Sequence, residues 1–107
     1  MTPRSGLGEF EQLVLLAAMR LGVQAYGVSI ARALTEQTGK EISQAATYLT
    51  LKRLEEKGWL DAKDGVPSTE RAGRAKRTYK ITEAGLEKVR DSRATLLDMW
   101  EEVAEQL

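Results

Sequence analysis

Two helical patterns joined by a very short turn limit the fold more than any other feature of this sequence. Across residues 25–38 apolar side chains recur every three or four positions, and Gly39 follows as a residue that readily takes the left-handed cap conformation. Three residues further on, Ser43 is a good N-cap for a helix that we predict over 43–57. So tight a connection between two helices favours a helix-turn-helix.

One more helix precedes this pair, and a β-hairpin follows it. Residues 7–21 have helical spacing but are apolar almost all round, which predicts burial on more than one side, by a partner as well as by the domain itself. Residues 59–63 and 78–81 alternate in polarity, which predicts two antiparallel strands with one buried face. That face would consist of Leu60, Ala62, Tyr79 and Ile81.

The end of the sequence predicts a long helix that packs against a second helix. Thr82 is a suitable N-cap, and we expect the helix to continue to the C-terminus. Alternating steps of three and four residues place one stripe along it, formed by Leu86, Val89, Arg93, Leu96, Trp100, Val103 and Leu107. Such a seam is typical of helices that pair, and Arg93 is its one charged member. We expect these seven residues to form a homodimer interface.

Taken together, the elements predict a mainly α fold with a small β-hairpin. We expect a winged helix-turn-helix over residues 1–81, whose N-terminal helix also aids dimerisation. A C-terminal dimerisation helix would occupy residues 82–107. The 107 residues suit a core of that size.

Composition argues against an enzyme. The sequence has neither cysteine nor histidine, so it lacks thiolate chemistry, the commonest metal ligands and the commonest general base. We therefore expect no catalytic residues, no metal and no cofactor. The longest apolar run is too short to cross a bilayer and no secretion signal is evident, so we expect a cytoplasmic protein without membrane contact.

Charge is balanced in total but segregated along the chain. Between residues 63 and 80 six cations face two acids, whereas residues 81–107 carry three cations and seven acids. Four of the cations, Arg71, Arg74, Lys76 and Arg77, lie in or beside the glycine-containing loop of the hairpin. A slim basic loop beside a helix-turn-helix favours contact with a phosphate backbone or a minor groove of double-stranded DNA. A solvated surface loop is the alternative reading of the same cations.

The second helix of a helix-turn-helix enters the major groove, so its outward residues are candidates for reading bases. Gln44 could pair with adenine and Leu49 could touch a thymine methyl, although either could simply be exposed. Lys52 and Arg53 suit phosphate contacts or a solvated face. The predicted DNA-binding residues are Tyr26, Ser43, Gln44, Tyr48, Leu49, Lys52, Arg53, Arg71, Arg74, Lys76 and Arg77.

Three segments resemble the PadR family of winged-helix transcriptional regulators. They read LGEFEQLVLLAAMRLGVQAYGVSIARAL, ISQAATYLTLKRLEEKGWL and GRAKRTYKITEAG, and the resemblance extends from Leu7 to about Val89. It implies a homodimeric DNA-binding repressor held together by the C-terminal helix with help from the N-terminal one. Two such copies would read a pseudo-palindromic operator.

The resemblance also assigns individual residues. Tyr26 and Gly27 match the family's tyrosine–glycine pair, Tyr48 matches a tyrosine of the reading helix, and the wing motif is matched by Gly73, Arg74, Lys76, Arg77 and Tyr79. Thr47 and Leu49 depart from the pattern, where an apolar residue and a proline are usual. Some members use a tryptophan on the last helix to hold a flat apolar ligand between subunits, which makes Trp100 a candidate for an effector site as well as a dimer-core residue.

A second class of function stays open at this point. Winged helices also bind proteins, so the alternative to a DNA-binding regulator is a protein–protein interaction module that binds no DNA.

Overall fold

The computed structural model describes residues 7–65 and 76–107, and within them it contains the helices and the hairpin predicted from the sequence. The elements are α1 (Glu9–Leu21), α2 (Gly27–Thr38), α3 (Gln44–Glu56), β1 (Leu60–Asp64), β2 (Arg77–Ile81) and α4 (Glu83–Glu102). Short 3₁₀ turns occupy Gly22–Gln24 and Ala104–Gln106. The mainly α fold with a winged helix-turn-helix is confirmed.

The turn between α2 and α3 is built from the residues that predicted it. Gly39 has a φ of 73°, the left-handed conformation that favours glycine, and its N–H donates to the Thr35 carbonyl at 2.9 Å. Ser43 Oγ then accepts from the Ala46 N–H at 3.0 Å and caps α3. Gly39 therefore ends α2 and Ser43 begins α3 within a turn of only a few residues.

The core lies where the first three helices meet the hairpin. The helices α1, α2 and α3 contribute most of the buried side chains, and β1, β2 and α4 contribute one each; the core includes Val14, Leu15, Ile30, Leu34, Leu51, Leu54, Trp59, Leu60, Tyr79 and Val89. Thr47, which departs from the family pattern, is also fully buried. Its hydroxyl donates to the Ser43 carbonyl at 2.9 Å, so burial leaves no unsatisfied polar group.

The four residues predicted to share the buried face of the hairpin pair with one another, with Leu60 opposite Ile81 and Ala62 opposite Tyr79. Each strand includes one residue more at the end near the connecting loop than predicted, and β1 begins at Leu60 rather than at Trp59. Trp59 still belongs to the turn that ends α3, because its N–H donates to the Leu54 carbonyl at 3.0 Å.

A third segment joins the hairpin just before α2. The Tyr79 N–H donates to the Ala25 carbonyl at 2.9 Å, and Tyr26 forms an isolated bridge with Thr78. The start of α2 and the base of the wing are therefore connected through backbone hydrogen bonds.

The first half of α4 packs on its own subunit and the second half does not. Val89 is buried in the core, and Ser92 Oγ donates to Gln12 Oε1 of α1 at 2.6 Å. The prediction that this helix continues to the C-terminus was wrong, since α4 ends at Glu102 and a 3₁₀ turn follows. The last carbonyls of a helix lack α-helical partners, and tighter 3₁₀ bonds satisfy some of them.

Within residues 7–65 and 76–107 no helix combines the length and the apolar character needed to cross a membrane.

Candidate nucleic-acid interface

The outer face of α3 is a row of exposed side chains backed by a buried row. Thr47, Leu51 and Leu54 anchor the helix in the core. The outward side of the helix is exposed and contains Tyr48, Leu49, Lys52 and Arg53, and Ser43 and Gln44 are exposed at its N-terminal end. Leu49 is 64% exposed, so it is accessible to a partner, as single leucines on protein surfaces commonly are. The structure thus presents all the predicted α3 residues on one accessible surface.

Tyr48 is fixed against the start of α2. Its ring lies so close to Gly27 that a Cβ at position 27 would overlap Tyr48 Cζ. The ring therefore covers the α2 backbone while its side chain remains 45% exposed. Tyr48 therefore packs on the start of α2 and also forms part of the exposed surface.

Two of the wing cations contact other residues of the subunit. The Lys76 ammonium lies 4.2 Å from the centre of the Tyr26 ring, a cation–π contact. This contact brings Lys76 and Tyr26 together beside the N-terminus of α2. Arg71 and Arg74, the other two cations of the predicted wing cluster, lie outside the described residues.

Arg77 forms two salt bridges at the base of the wing. Arg77 Nη1 donates to Asp64 Oδ1 and Arg77 Nη2 donates to Glu55 Oε2, both at 2.9 Å. These hydrogen bonds to Asp64 and Glu55 raise the pKa of Arg77 above its ordinary value, so the guanidinium stays protonated. One guanidinium therefore connects α3, β1 and β2.

A second ion pair connects α1 to the end of α3. Lys57 Nζ donates to Glu11 Oε2 at 2.8 Å, and the Gly8 N–H donates to Glu11 Oε1 at 2.9 Å. Burial acts to raise the pKa of Glu11, but the hydrogen bonds from Lys57 and Gly8 and the nearby charges of Lys57 and Arg53 lower it overall. The Glu11 carboxylate is thus held ionised although its residue is buried.

The predicted dimer seam divides into two parts. Val89 is buried within its own subunit and Leu86 is half-buried, whereas the seam residues from Arg93 onward are exposed. Exposed apolar side chains cluster on the far half, namely Leu96, Leu97, Met99, Trp100, Val103 and Leu107. Leu16 and Met19 of α1 are also partly exposed. The predicted ligand residue Trp100 belongs to this apolar surface.

An apolar cavity lies elsewhere, between the end of α1 and the hairpin. Its volume is about 620 Å³, and Met19, Val23, Tyr79 and Ile81 are among the residues that line it. Trp100 is not one of them, so the cavity within one subunit is separate from the effector position predicted on α4.

The acidic partners of Arg77 were not predicted from the sequence. Asp64 faces Arg77 across the hairpin, and extending the alternating pattern by one residue on each strand would have predicted that pair. Glu55 approaches from α3, and nothing in the sequence links it to Arg77. The pairing of Glu11 with Lys57, 46 positions apart, was equally invisible.

A helix-turn-helix with an exposed reading helix and a hairpin beside it defines this chain as a winged-helix protein. Residues 15–91 match the model of the transcriptional regulator PadR-like family. Since the match covers most of the chain, the protein belongs to the PadR-like family and is a transcriptional regulator of the DNA-binding winged-helix type rather than an enzyme. No significant match was found among proteins with curated functions.

Solved structures of similar fold are consistent with this family. The chain is similar to a PadR-like transcription factor from Bacteroides fragilis, with a TM-score of 0.72 and 22% identity over 92% of this chain and 89% of that one. It also matches a PadR family transcriptional regulator from Eggerthella lenta, with a TM-score of 0.70 and 24% identity over 92% and 85% of the two chains. A putative transcriptional regulator from Thermoplasma acidophilum matches with a TM-score of 0.68 and 22% identity over 89% and 88%.

Proposed function

We propose that this protein is a homodimeric, sequence-specific DNA-binding repressor. In this proposal α3 enters the major groove and the wing, at residues 65–77, follows the backbone or an adjacent minor groove. The observation that carries the proposal is the exposed row on α3, where an amide, a tyrosine, a leucine and two cations share one surface. Amide and apolar side chains suit base edges, and cations suit phosphates.

Dimerisation is supported by the exposed apolar half of α4. Monomeric soluble proteins rarely leave so many large apolar side chains together in water, and a second copy would cover them. A two-fold axis between the subunits would direct two α3 helices at two half-sites, which accounts for a pseudo-palindromic operator. A protein that acts on DNA works where the DNA is, so a cytoplasmic location remains part of this proposal.

Relief of repression by a small apolar effector at the dimer interface is also part of the proposal. It rests on Trp100, which is 57% exposed within one subunit and lies on the predicted interface. Planar apolar compounds should change its fluorescence, whereas Trp59 is buried in the core and should respond little. An absence of response from a broad panel would remove the effector from the proposal.

The experiment that tests the function is selection of bound sequences from a random pool of double-stranded DNA. We expect a two-fold symmetric consensus. Gln44→Ala and Leu49→Ala should then relax the base preference at particular positions, whereas Lys52→Ala should weaken all sequences about equally. Arg90→Ala on α4 removes a cation away from α3 and is the matched control.

The alternative, a protein interaction module, predicts a different outcome. In that case no sequence is enriched and binding to DNA is absent even in dilute buffer. Arg74→Ala and the unmodified protein would then give the same result in a DNA-binding titration. Enrichment of a symmetric site would exclude this alternative.

A further inference from the structure

The pair of salt bridges at Arg77 has a consequence for how the wing is held. We infer that Arg77 is a positioning residue, which fixes the wing against α3 through Glu55 and Asp64 rather than contacting DNA phosphates. The inference deepens the proposed function and rests on it for its effect on DNA. It also revises the role that the sequence gave to Arg77 as one of the backbone-contacting cations.

The geometry uses both terminal nitrogens of the guanidinium. Each donates at 2.9 Å to a different carboxylate, one on α3 and one on β1. These two bonds use two of the five N–H donors of the guanidinium, so a phosphate bound by another donor would lie close to both carboxylates. Because two carboxylates share this guanidinium, Arg77 attracts a phosphate less than an arginine without acidic partners would.

The three elements joined by Arg77 are the ones whose relative position matters for binding DNA. Glu55 lies in the last turn of α3, Asp64 ends β1 and Arg77 begins β2, so the cation stands where the loop of the wing leaves the domain. Individual surface ion pairs contribute little, but a fork that spans two acids in a fixed geometry is the favourable case. The result is a constraint on the angle between the two strands of the hairpin and α3.

DNA affinity measured over a range of salt concentrations separates the two roles. The slope of log K against log salt concentration is negative, and the loss of one phosphate contact makes it shallower by about 0.9. We expect Arg77→Ala to weaken binding about three- to tenfold and to leave this slope unchanged. We expect Arg77→Lys to behave like Arg77→Ala, because an ammonium cannot bridge two carboxylates as a guanidinium does, although it serves well as a phosphate ligand.

The acidic partner gives the sharpest contrast. Glu55→Ala removes a negative charge near the proposed DNA surface, so simple electrostatics predicts tighter binding. Loss of positioning predicts weaker binding, and an Arg77→Ala, Glu55→Ala double variant should then be no weaker than Arg77→Ala. Glu56→Ala, which removes the same charge from the adjacent exposed position, is the matched control and should not weaken binding.

A measurement without DNA tests the clamp independently of the proposed function. The Gly65 N–H donates to the Lys76 carbonyl at 2.6 Å across the end of the hairpin, so its hydrogen-exchange rate reports closure of the wing base. Exchange should accelerate in Arg77→Ala, in Arg77→Lys and in Glu55→Ala, but not in Lys80→Ala, which removes a cation from the same strand.

The outcomes remain distinguishable. If the unmodified protein binds no DNA, the proposed function fails, while the exchange data still decide whether the clamp exists. The positioning role is overturned if Gly65 exchange is unchanged in the Arg77 variants. The positioning role is also overturned by a second pair of results. In that case Arg77→Lys binds DNA normally, and the salt dependence of Arg77→Ala shows the loss of about one phosphate contact.

Discussion

At the scale of single residues, Gly27 explains why a tyrosine–glycine pair begins α2. The Tyr48 side chain crosses the helix start at a distance that leaves no room for a Cβ on residue 27. Glycine is required there by close packing and not by an unusual backbone angle, since Gly27 is the first residue of a regular helix. One absent methyl group thereby lets α3 approach α2 and fixes a residue of the candidate reading surface.

We therefore expect Gly27→Ala to displace the Tyr48 ring, which is 45% exposed, and to destabilise the protein by about 1 kcal/mol, the low end of the usual cost of overpacking. Alanine has a higher helix propensity than glycine, so propensity alone would make Gly27→Ala stabilising. A measured loss of stability would therefore come from the contact with Tyr48. Thermal or urea unfolding measures the change.

The matched background is Tyr48→Ala, which removes the ring. In that background Gly27→Ala should cost little or should even stabilise, so the two substitutions should couple strongly. An equal cost with and without the tyrosine ring would show that the contact does not explain the glycine.

At the scale of elements, the Glu11–Lys57 pair joins α1 to the end of α3. The carboxylate lies in a buried residue and has hydrogen bonds from Lys57 and from the Gly8 backbone, so both of its oxygens are satisfied. Removing one partner from such a pair leaves a poorly hydrated charge behind. The helix predicted to assist dimerisation is thereby tied to the helix predicted to read DNA.

Glu11→Gln should reduce the free energy of unfolding by about 1–3 kcal/mol at neutral pH, in the range of a lost hydrogen bond to a charged group. The folded protein lowers the pKa of Glu11 from its ordinary value of 4.5, so the folded state favours the ionised form. The contribution should therefore be complete above about pH 4.5 and disappear as the pH falls from there through the lowered pKa. Urea unfolding at a series of pH values measures it.

Glu9→Gln is the control, because Glu9 is an exposed acid on the same helix. It should have little effect at any pH. A difference between Glu11→Gln and the unmodified protein that stays constant down to strongly acidic pH would contradict the assigned role of the ionised carboxylate.

At the scale of the whole molecule, the main feature that one subunit leaves unexplained is the exposed apolar surface of α4. Its first half uses the stripe to pack on the core, with Val89 buried, and its second half continues the same stripe into solvent. The molecule is elongated, with principal extents of 55 × 31 × 22 Å. A second copy packed along this half would bury the stripe and direct two reading surfaces outward.

We expect the protein to sediment as a dimer at micromolar concentration and Leu96→Glu to convert it to a monomer, since a buried unpaired charge would oppose association. DNA affinity for a symmetric site should fall strongly in the same variant, because each half-site would then be bound separately. Sedimentation velocity and a binding titration provide the two measurements.

Thr95→Glu introduces the same charge on the opposite side of α4 and should leave the dimer intact. A native dimer in Leu96→Glu, or a monomer in the unmodified protein, would contradict the assembly proposed from the stripe.

Much of the fold was predictable because local chemistry specified it. Gly39 and Ser43 defined the turn between α2 and α3, alternation defined the faces of the hairpin, and Thr82 began α4 as predicted. The exposed face of α3 followed from the same reasoning, since helical spacing separates Leu51 and Leu54 from Leu49 and Arg53. These features depend on residues within a few positions of one another.

The sequence by itself determined the order of the elements, their buried faces and the family to which the chain belongs, because periodicity, caps and motifs are local. Only the tertiary structure decided which residues meet over long distances in sequence. It paired Arg77 with Glu55, Glu11 with Lys57 and Tyr48 with Gly27, and it assigned Val89 to the core but left Trp100 exposed. Such contacts depend on how whole helices are packed, and an isolated charge or stripe in a sequence does not specify which neighbour it will receive.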